Sequence, residues 1–180
     1  MAIDESRTFK PIRIALLTVS DTRGQEDDTS GDILAARITG AGHTLAARTI
    51  LKDDAALVAD QFSAWIDDAG IDCIISTGGT GLTGRDVTPE AIDRVKEKDI
   101  PGFGEIFRYI SFGTIGTSTV QSRACAATIS GERTSALAKA MLCCRTALNS
   151  STSAPPFSTN GSSSAPVSSR GAGSPRRTAS

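Results

Sequence analysis

A short apolar run leads directly into a glycine-rich turn, and this junction most constrains the fold of the chain. Residues 71–76 (Ile-Asp-Cys-Ile-Ile-Ser) are mostly apolar and β-branched, which is typical of a strand buried in a parallel sheet. Ligands of open α/β sheets collect at the carboxyl ends of the strands, where this turn lies. Without β-carbons, its glycines let a phosphate or a flat ring approach the backbone N–H groups. They are Gly78, Gly79, Gly81 and Gly84.

The residues after these glycines favour an anion site. Thr77, Thr80 and Thr83 add hydroxyl donors to the turn. The sequence Thr88-Pro89-Glu90 reads as an N-cap followed by proline at the first helical position, so a helix N-terminus is expected to point back toward the turn. Asp86 lies between the turn and this helix start.

Two familiar phosphate loops compete with this interpretation. Residues 79–84 match the six-residue dinucleotide pattern, but the helix signals follow the motif instead of lying within it, so a nicotinamide-dependent oxidoreductase is a weaker alternative. A P-loop needs Gly-Lys followed by Ser or Thr, and no lysine lies between Asp54 and Val95. An ordinary turn without a ligand is the remaining alternative.

Strand-like and helix-like segments alternate along the chain, which predicts an α/β fold with a mostly parallel sheet and helices on both faces. The predicted strands are residues 14–19, 44–51 and 71–76. Four helices are predicted. The first is capped by Thr29 or Ser30 and runs through Ala41, and the second is capped by Asp53 or Asp54 and ends near Gly70. The third and fourth span residues 89–98 and 103–112. The last helix carries Phe103, Ile106, Phe107 and Ile110 on one face.

Composition predicts one domain with two irregular ends. The chain has 180 residues, 39% of them hydrophobic, and a net charge of -1, so neither nucleic acid nor an anionic membrane is expected as a partner. No signal peptide or apolar span is visible near the N-terminus, which favours a cytoplasmic protein. We expect a flexible segment at residues 1–10, a domain at 11–149, and a disordered basic Ser/Pro/Gly-rich tail at 150–180. Residues 136–148 have a helix-friendly composition.

Five ordered blocks carry a family resemblance. They are residues 18–23 (Thr-Val-Ser-Asp-Thr-Arg), 77–81 (Thr-Gly-Gly-Thr-Gly), 85–90 (Arg-Asp-Val-Thr-Pro-Glu), 101–105 (Pro-Gly-Phe-Gly-Glu) and 115–123 (Ile-Gly-Thr-Ser-Thr-Val-Gln-Ser-Arg). Together they closely resemble the molybdenum cofactor biosynthesis protein B family, relatives of the molybdopterin adenylyltransferases, over roughly residues 10–128. The resemblance implies a three-layer αβα molybdopterin-binding fold.

The last third of the chain departs from the family pattern. The family has a hydrophobic strand after Ala126, a Pro-Gly-Ser loop that helps to hold the ligand and a closing helix, and none of these is recognisable here. We hypothesise that this third is read in a shifted frame relative to the family. A natural basic tail is the alternative.

The resemblance implies adenylyl transfer from ATP to molybdopterin, with pyrophosphate as the leaving group and Mg²⁺ as the cofactor. Asp53 and Asp86 match acidic positions of the adenylyltransferase relatives, so we expect them to be catalytic and to handle the metal ion. Asp53 is equally well explained as a helix N-cap. Asp86 shows no comparable structural role in the sequence.

Further ligand contacts are expected from the resemblance. Ser20 and Asp21 lie in a sheet-edge loop like one that contacts ligand in the relatives, although Ser-Asp-Thr is also ordinary turn chemistry. The ligand-binding set implied by the family is Ser20, Asp21, Thr77, Gly78, Gly79, Thr80, Gly81, Glu105, Ser118, Thr119 and Ser122. Glu105 is otherwise a first-turn helix acid, and the last three are otherwise a polar strand edge.

Arg85 and Arg123 either meet phosphates or are surface residues. Two functions therefore stay open for the family member: an enzyme that adenylylates molybdopterin, or a binding or scaffold protein of the same pathway without turnover. The relatives assemble as trimers or hexamers, so a homo-oligomer is expected if the altered C-terminus permits it.

Overall fold

The computed structural model describes residues 8–129 and the backbone of residues 139–144. The strands are β1 (Arg13–Val19), β2 (Thr44–Leu51), β3 (Cys73–Thr77), β4 (Lys98–Asp99), β5 (Cys125–Ile129) and β6 (Lys139–Cys144). The helices are α1 (Thr29–Gly40), α2 (Ala55–Asp67), α3 (Thr88–Val95) and α4 (Pro101–Ile115), with short 3₁₀ turns at Gln25–Asp27 and Gly116–Gln121. The tail predicted to be disordered, residues 150–180, lies outside the described residues, as do positions 1–7 of the N-terminal segment predicted to be flexible.

The strands form one mixed sheet in the order β2-β1-β3-β6-β5-β4. β1 runs parallel to both β2 and β3, and β6 runs parallel to β3. β5 is antiparallel to β6, and the two-residue β4 is antiparallel to β5. The prediction of an α/β fold with a mostly parallel sheet is confirmed.

Alternation along β1 places helices on both faces of the sheet. Leu17 packs on one face with Phe62 of α2 and Ile92 of α3. Ile14 packs on the opposite face with Ile38 of α1, because successive side chains of a strand point to opposite sides. Phe62 is completely buried, and burial of a side chain of this size stabilises a fold by about 1.5–3 kcal/mol. The three-layer αβα architecture follows from these two cores.

One helix start differs from the sequence-based prediction by one residue, and another confirms it. The cap of α1 is Asp28, whose carboxylate accepts the Gly31 N–H, and not Thr29 or Ser30. The cap of α2 is Asp54, whose carboxylate accepts two backbone N–H groups of the first turn. Asp53 is therefore not a capping residue.

Both ends of α3 were predicted incorrectly. Thr88 is the first residue of the helix and not its cap, and its hydroxyl donates to the Gly78 carbonyl over 2.9 Å. The helix ends at Val95 instead of continuing through Lys98. Lys98 and Asp99 pair with β5 as β4, and sheet pairing outweighs helix propensity at this point.

The sheet contains further strands in the part of the chain where the sequence indicated none. Ala126 lies within β5, a strand that the sequence did not indicate. Residues 139–144 are a strand, which contradicts a helix over residues 136–148. β6 fills the gap between β3 and β5 and pairs with both. The composition of a segment alone does not predict such strand pairing.

The apolar face of α4 is largely open to solvent. The helix is longer than predicted, and it leaves Ile106 60% exposed, Ile110 68% exposed and Tyr109 80% exposed. None of the described helices combines the length and the apolar character required to cross a membrane.

Candidate functional site

A cleft of about 620 Å³ lies at the carboxyl ends of β1 and β3. The parallel register sets Thr18 beside Thr77 and Val19 beside Leu51, so the loops that follow β1, β2 and β3 meet at one edge of the sheet. The cleft is lined by Thr18, Val19, Ser20, Thr22, Arg23, Ser30, Thr77, Gly78, Gly79, Thr80, Gly81, Leu82, Thr83, Asp86 and Gln121. The glycine turn predicted from the sequence therefore forms a wall of a real cavity.

Two glycines of this turn are required by its backbone conformation. Gly78 has φ +95°, and a β-carbon there would lie 2.0 Å from the Val19 carbonyl oxygen. Gly79 has φ +60°, and its β-carbon would lie 2.3 Å from the Thr88 hydroxyl and 2.9 Å from an Asp53 carboxylate oxygen. Side chains at either position would be strained and would collide with fixed atoms. Glycine at both positions thus lets the turn pack closely against the end of β1 and the start of α3.

A buried hydroxyl group in the cleft wall is unsatisfied. Thr80 is 1% exposed, and its Oγ1 atom has no hydrogen-bond partner within the part of the chain that the structure describes. A buried polar atom without a partner costs stability, about 1–3 kcal/mol. Thr80 also lines the cleft.

An arginine side chain places a positive charge at the cleft, in the loop that follows β1. The Arg23 guanidinium donates to the Ser30 hydroxyl over 3.0 Å, and both residues line the cleft. The Ser20 hydroxyl accepts N–H groups from Thr22 and Arg23 at 3.3 Å, which closes the loop after β1. An anion in the cleft would meet this positive charge.

Two carboxylates near the glycine turn have pKa values that are shifted in opposite directions. Burial raises the pKa of Asp53, and the negative charges of Asp21 and Asp86 raise it further. The hydroxyl of Thr83 donates to Asp86 and lowers its pKa, despite partial burial. Neighbouring carboxylates with opposed pKa shifts are a recurrent feature of functional sites.

The family relationship is decided by comparison with known proteins. A family model described as a probable molybdopterin binding domain matches residues 15–149. Molybdenum cofactor biosynthesis protein B of Escherichia coli K12 is 44% identical over 142 residues, which cover 79% of this chain and 84% of the relative. The chain belongs to the molybdenum cofactor biosynthesis protein B family. The match extends beyond residue 128, where the recognisable motifs end.

Solved structures of the family share the fold. A crystal structure of a molybdenum cofactor biosynthesis protein B has a TM-score of 0.70 and 36% identity, covering 77% of this chain and 83% of that chain. The tungsten cofactor synthesizing protein of Pyrococcus furiosus has a TM-score of 0.65 and 31% identity, covering 76% and 82%.

Most of the contacts that the family resemblance implied lie together. Ser20, Thr77 and the segment 78–81 line the cleft. Asp21 lies beside them in the loop after β1, where its carboxylate accepts the Asp53 N–H over 3.1 Å. The side chain of Asp53 lies against Gly79, so both catalytic candidates adjoin the same turn.

Four of the expected ligand contacts lie elsewhere. Glu105 lines a separate cleft of about 300 Å³, next to Arg108. Ser118, Thr119 and Ser122 belong to the 3₁₀ turn and its end, and none of them lines the cleft at the glycine turn. Their role as ligand contacts stays a prediction.

Asp86 has a structural role that the sequence did not show. Its carboxylate accepts the N–H of Thr83 over 2.9 Å as well as the Thr83 hydroxyl. A β-carbon on Gly81 would lie 2.7 Å from the same carboxylate. Asp86 therefore stabilises the turn and also lines the cleft.

Several cleft residues were not predicted as site residues. They are Thr18, Val19, Thr22, Arg23, Ser30, Leu82 and Gln121. Thr18 lies one residue before the end of a buried strand and Ser30 lies in the first turn of a helix, so the rule that ligands bind at this edge of the sheet could have indicated both. Gln121 offered no such signal, because its position depends on how the 3₁₀ turn returns to the sheet.

Proposed function

We propose that this protein binds molybdopterin in the cleft at the glycine turn and adenylylates it with ATP. The single observation that carries the proposal is the glycine turn itself. It brings the backbone of Gly78 and Gly79 to the cleft, next to the buried, unsatisfied hydroxyl of Thr80, and carries two carboxylates at its edge. Membership of the molybdenum cofactor biosynthesis protein B family supports the choice of ligand.

The reaction joins two anions. An oxygen of the terminal phosphate of molybdopterin attacks the α-phosphorus of ATP, the bond from that phosphorus to the bridging oxygen breaks, and pyrophosphate leaves with the bonding pair. Such a transfer depends on positioning and on stabilisation of the charge that moves onto the phosphate oxygens. The Thr80 hydroxyl and the guanidinium of Arg23 are suited to these tasks because both line the cleft.

The carboxylates fit a magnesium ion that is held partly by the protein and partly by the phosphates of the substrate. Among the described residues, no group of three or more His, Cys, Asp or Glu side chains is arranged to hold a metal ion. Magnesium is, however, commonly held by one or two carboxylates together with substrate phosphates and water. Asp53 carries unfavourable interactions with Asp21 and Asp86, and a divalent cation would relieve them. When bound, the ion would neutralise charge on the phosphates of ATP.

The two catalytic candidates differ in what they contribute. Asp53 is held beside Gly79, where burial raises its pKa and the negative charges of Asp21 and Asp86 raise it further. It is suited to orienting a cation-bound phosphate chain at the turn. Asp86 keeps its charge through the Thr83 hydroxyl and shapes the turn at the same time.

A binding protein without turnover is the second candidate function. The hydrogen bonds from Thr83 to Asp86 favour it, because a carboxylate that accepts bonds within the turn stabilises the turn without taking part in catalysis. A dinucleotide-dependent oxidoreductase is not favoured, because α3 begins at Thr88, beyond the glycine pattern that ends at Gly84.

We propose further that copies of this chain assemble through α4. Exposed apolar side chains at Ile106, Tyr109 and Ile110 support this, because such patches on protein surfaces mark contact sites. Sedimentation of the full chain at increasing concentration tests it: growth into trimers or hexamers is expected, and a monomer at every concentration would contradict assembly.

The test of the proposed function is pyrophosphate release by the purified full chain from ATP and Mg²⁺. Release is expected only when molybdopterin is present. Reactions that lack molybdopterin, or that contain an ATP analogue with a non-cleavable bond between the α- and β-phosphates, are the controls. Binding of molybdopterin without release of pyrophosphate would favour the second candidate function.

A further inference from the structure

One arginine is bonded to the glycine turn at several points. The Arg123 Nε–H donates to the Gly81 carbonyl over 2.7 Å, and its Nη2 donates to the Asp86 carbonyl. Its Nη1 forms an ion pair with Glu90 of α3. The Arg123 backbone N–H donates to the Thr80 carbonyl over 3.2 Å.

These bonds turn the guanidinium away from a phosphate-binding role. Arg123 does not line the cleft at the glycine turn, and instead contributes to a neighbouring cleft of about 350 Å³ with Glu90. Each of its three side-chain nitrogens has an acceptor in the turn or in α3. The planar group bonds two carbonyls and a carboxylate at once, which a lysine ammonium cannot reproduce.

The central part of the turn has few other anchors among the residues that the structure describes. Leu82, Thr83, Gly84 and Arg85 are exposed, and Leu82 is 67% exposed. The first residues of the turn are held by α3, through bonds from Thr88 to the Gly78 and Gly79 carbonyls. The segment between Gly79 and α3 depends on bonds within the turn and on Arg123.

We infer that Arg123 is a positioning residue that holds the glycine turn in its ligand-binding conformation. It acts through the Gly81 and Asp86 carbonyls and not by contact with the substrate. The inference rests on the proposed function only for the identity of the ligand, because the contacts themselves concern the protein alone.

Limited trypsin digestion of the full chain tests the inference without any ligand. The exposed Arg85 lies within the turn, so cleavage after it reports local opening, whereas cleavage after Arg37 in α1 reports opening of the whole domain. Arg123→Gln is expected to speed cleavage after Arg85 about tenfold or more, the equivalent of losing one charged hydrogen bond. Cleavage after Arg37 should change much less.

Three further variants separate the contacts. Glu90→Gln removes only the ion pair and should speed cleavage after Arg85 roughly threefold. Arg123→Lys keeps the charge but not the paired carbonyl bonds, and should resemble Arg123→Gln more than the wild type. Arg94→Gln is the matched control, because Arg94 is an exposed arginine of α3, and its digestion pattern should match that of the wild type.

Activity provides a second readout. If pyrophosphate release occurs, Arg123→Lys should raise the KM for ATP or lower kcat, whereas Arg94→Gln should change neither. An unchanged rate of cleavage after Arg85 in Arg123→Gln would overturn the inference. An equal increase at Arg37 would also overturn it, because Arg123 would then support the whole domain. Absence of pyrophosphate release in the wild type would overturn the proposed function and leave the digestion result standing.

Discussion

The buried carboxylate of Asp28 is the support behind the cleft, and its substitution by asparagine is the most informative stability test. Asp28 is completely buried and forms an ion pair with Arg48 at 2.8 Å. It also accepts the Thr18 hydroxyl over 2.8 Å and the Gly31 N–H over 3.0 Å. Asp28 thus joins the end of β1 to the start of α1 directly behind the cleft.

The cost of Asp28→Asn follows from these contacts. Breaking a buried ion pair by removing one partner typically costs about 3–5 kcal/mol. Arg48 is 28% exposed and keeps a second partner, Asp32, so water and that carboxylate offset part of the loss. Asparagine caps helices about as well as aspartate. We therefore expect a loss of about 2–3 kcal/mol in the free energy of unfolding, at or below the lower end of that range.

Urea unfolding followed by circular dichroism measures this loss. With a typical m value of about 1–3 kcal/mol/M, the midpoint should fall by roughly 0.7–3 M while m stays constant. The matched control is Asp32→Asn. Asp32 binds the same Arg48 at 2.7 Å, but its side chain is 63% exposed, and exposed pairs contribute less than about 1 kcal/mol.

The pH dependence of the unfolding free energy tests the contribution of Asp28 independently. Burial opposes ionisation of Asp28, yet bonds from Arg48, Gly31 and Thr18 outweigh it and lower the pKa below its ordinary value of 3.8. The native state therefore holds the proton less tightly than the unfolded chain. The stability that Asp28 contributes should be complete above pH 3.8 and should be lost as the pH falls through the lowered native value.

Two results would refute this reasoning. One is an Asp28→Asn variant within about 0.5 kcal/mol of the wild type, the usual range of a neutral surface substitution. The other is an Asp32→Asn variant that loses as much stability as Asp28→Asn.

Three further predictions concern the glycine turn. Asp86→Asn should abolish pyrophosphate release and spare much of the affinity for molybdopterin; equal turnover would remove Asp86 from the mechanism. Asp53→Asn should also lose turnover but should unfold at a higher temperature at pH 7, because burial and neighbouring charge raise the native pKa of Asp53 above 3.8 and its ionisation therefore costs stability. That gain should vanish below pH 3.8, and a variant less stable at pH 7 would contradict it. Gly78→Ala should weaken molybdopterin binding at least about tenfold, because its β-carbon would meet the Val19 carbonyl at 2.0 Å and a positive φ disfavours alanine by about 1 kcal/mol before that collision is counted. Calorimetry measures that affinity, and unchanged binding would contradict the steric argument.

The central strands and the glycine turn were predictable because their signals are local. β1 and β2 are apolar or β-branched runs between polar loops, and the structure places them where those runs occur. The conformation of Gly78 and Gly79 follows from the same logic, since a tight turn after a buried strand requires positive φ. Parallel packing then brings the loops together at one edge.

The features that were missed depend on partners distant in the chain. β6 was read as a helix because its composition suits one, yet β3 and β5 recruit it as a strand. Arg123 was left between phosphate binding and the surface, because the carbonyls that bind it are about forty residues earlier in the chain. Asp28 was overlooked as a cap, because Thr29 and Ser30 are equally good capping residues by type.

The most direct test of adenylyl transfer is the fate of the α-phosphate of ATP. The full chain is incubated with molybdopterin, Mg²⁺ and ATP labelled at the α-phosphorus, and the products are separated. The account predicts that label appears on molybdopterin in the same amount as released pyrophosphate, and that Asp53→Asn prevents both. Label that stays in ATP, or appears only in free AMP, would contradict the account.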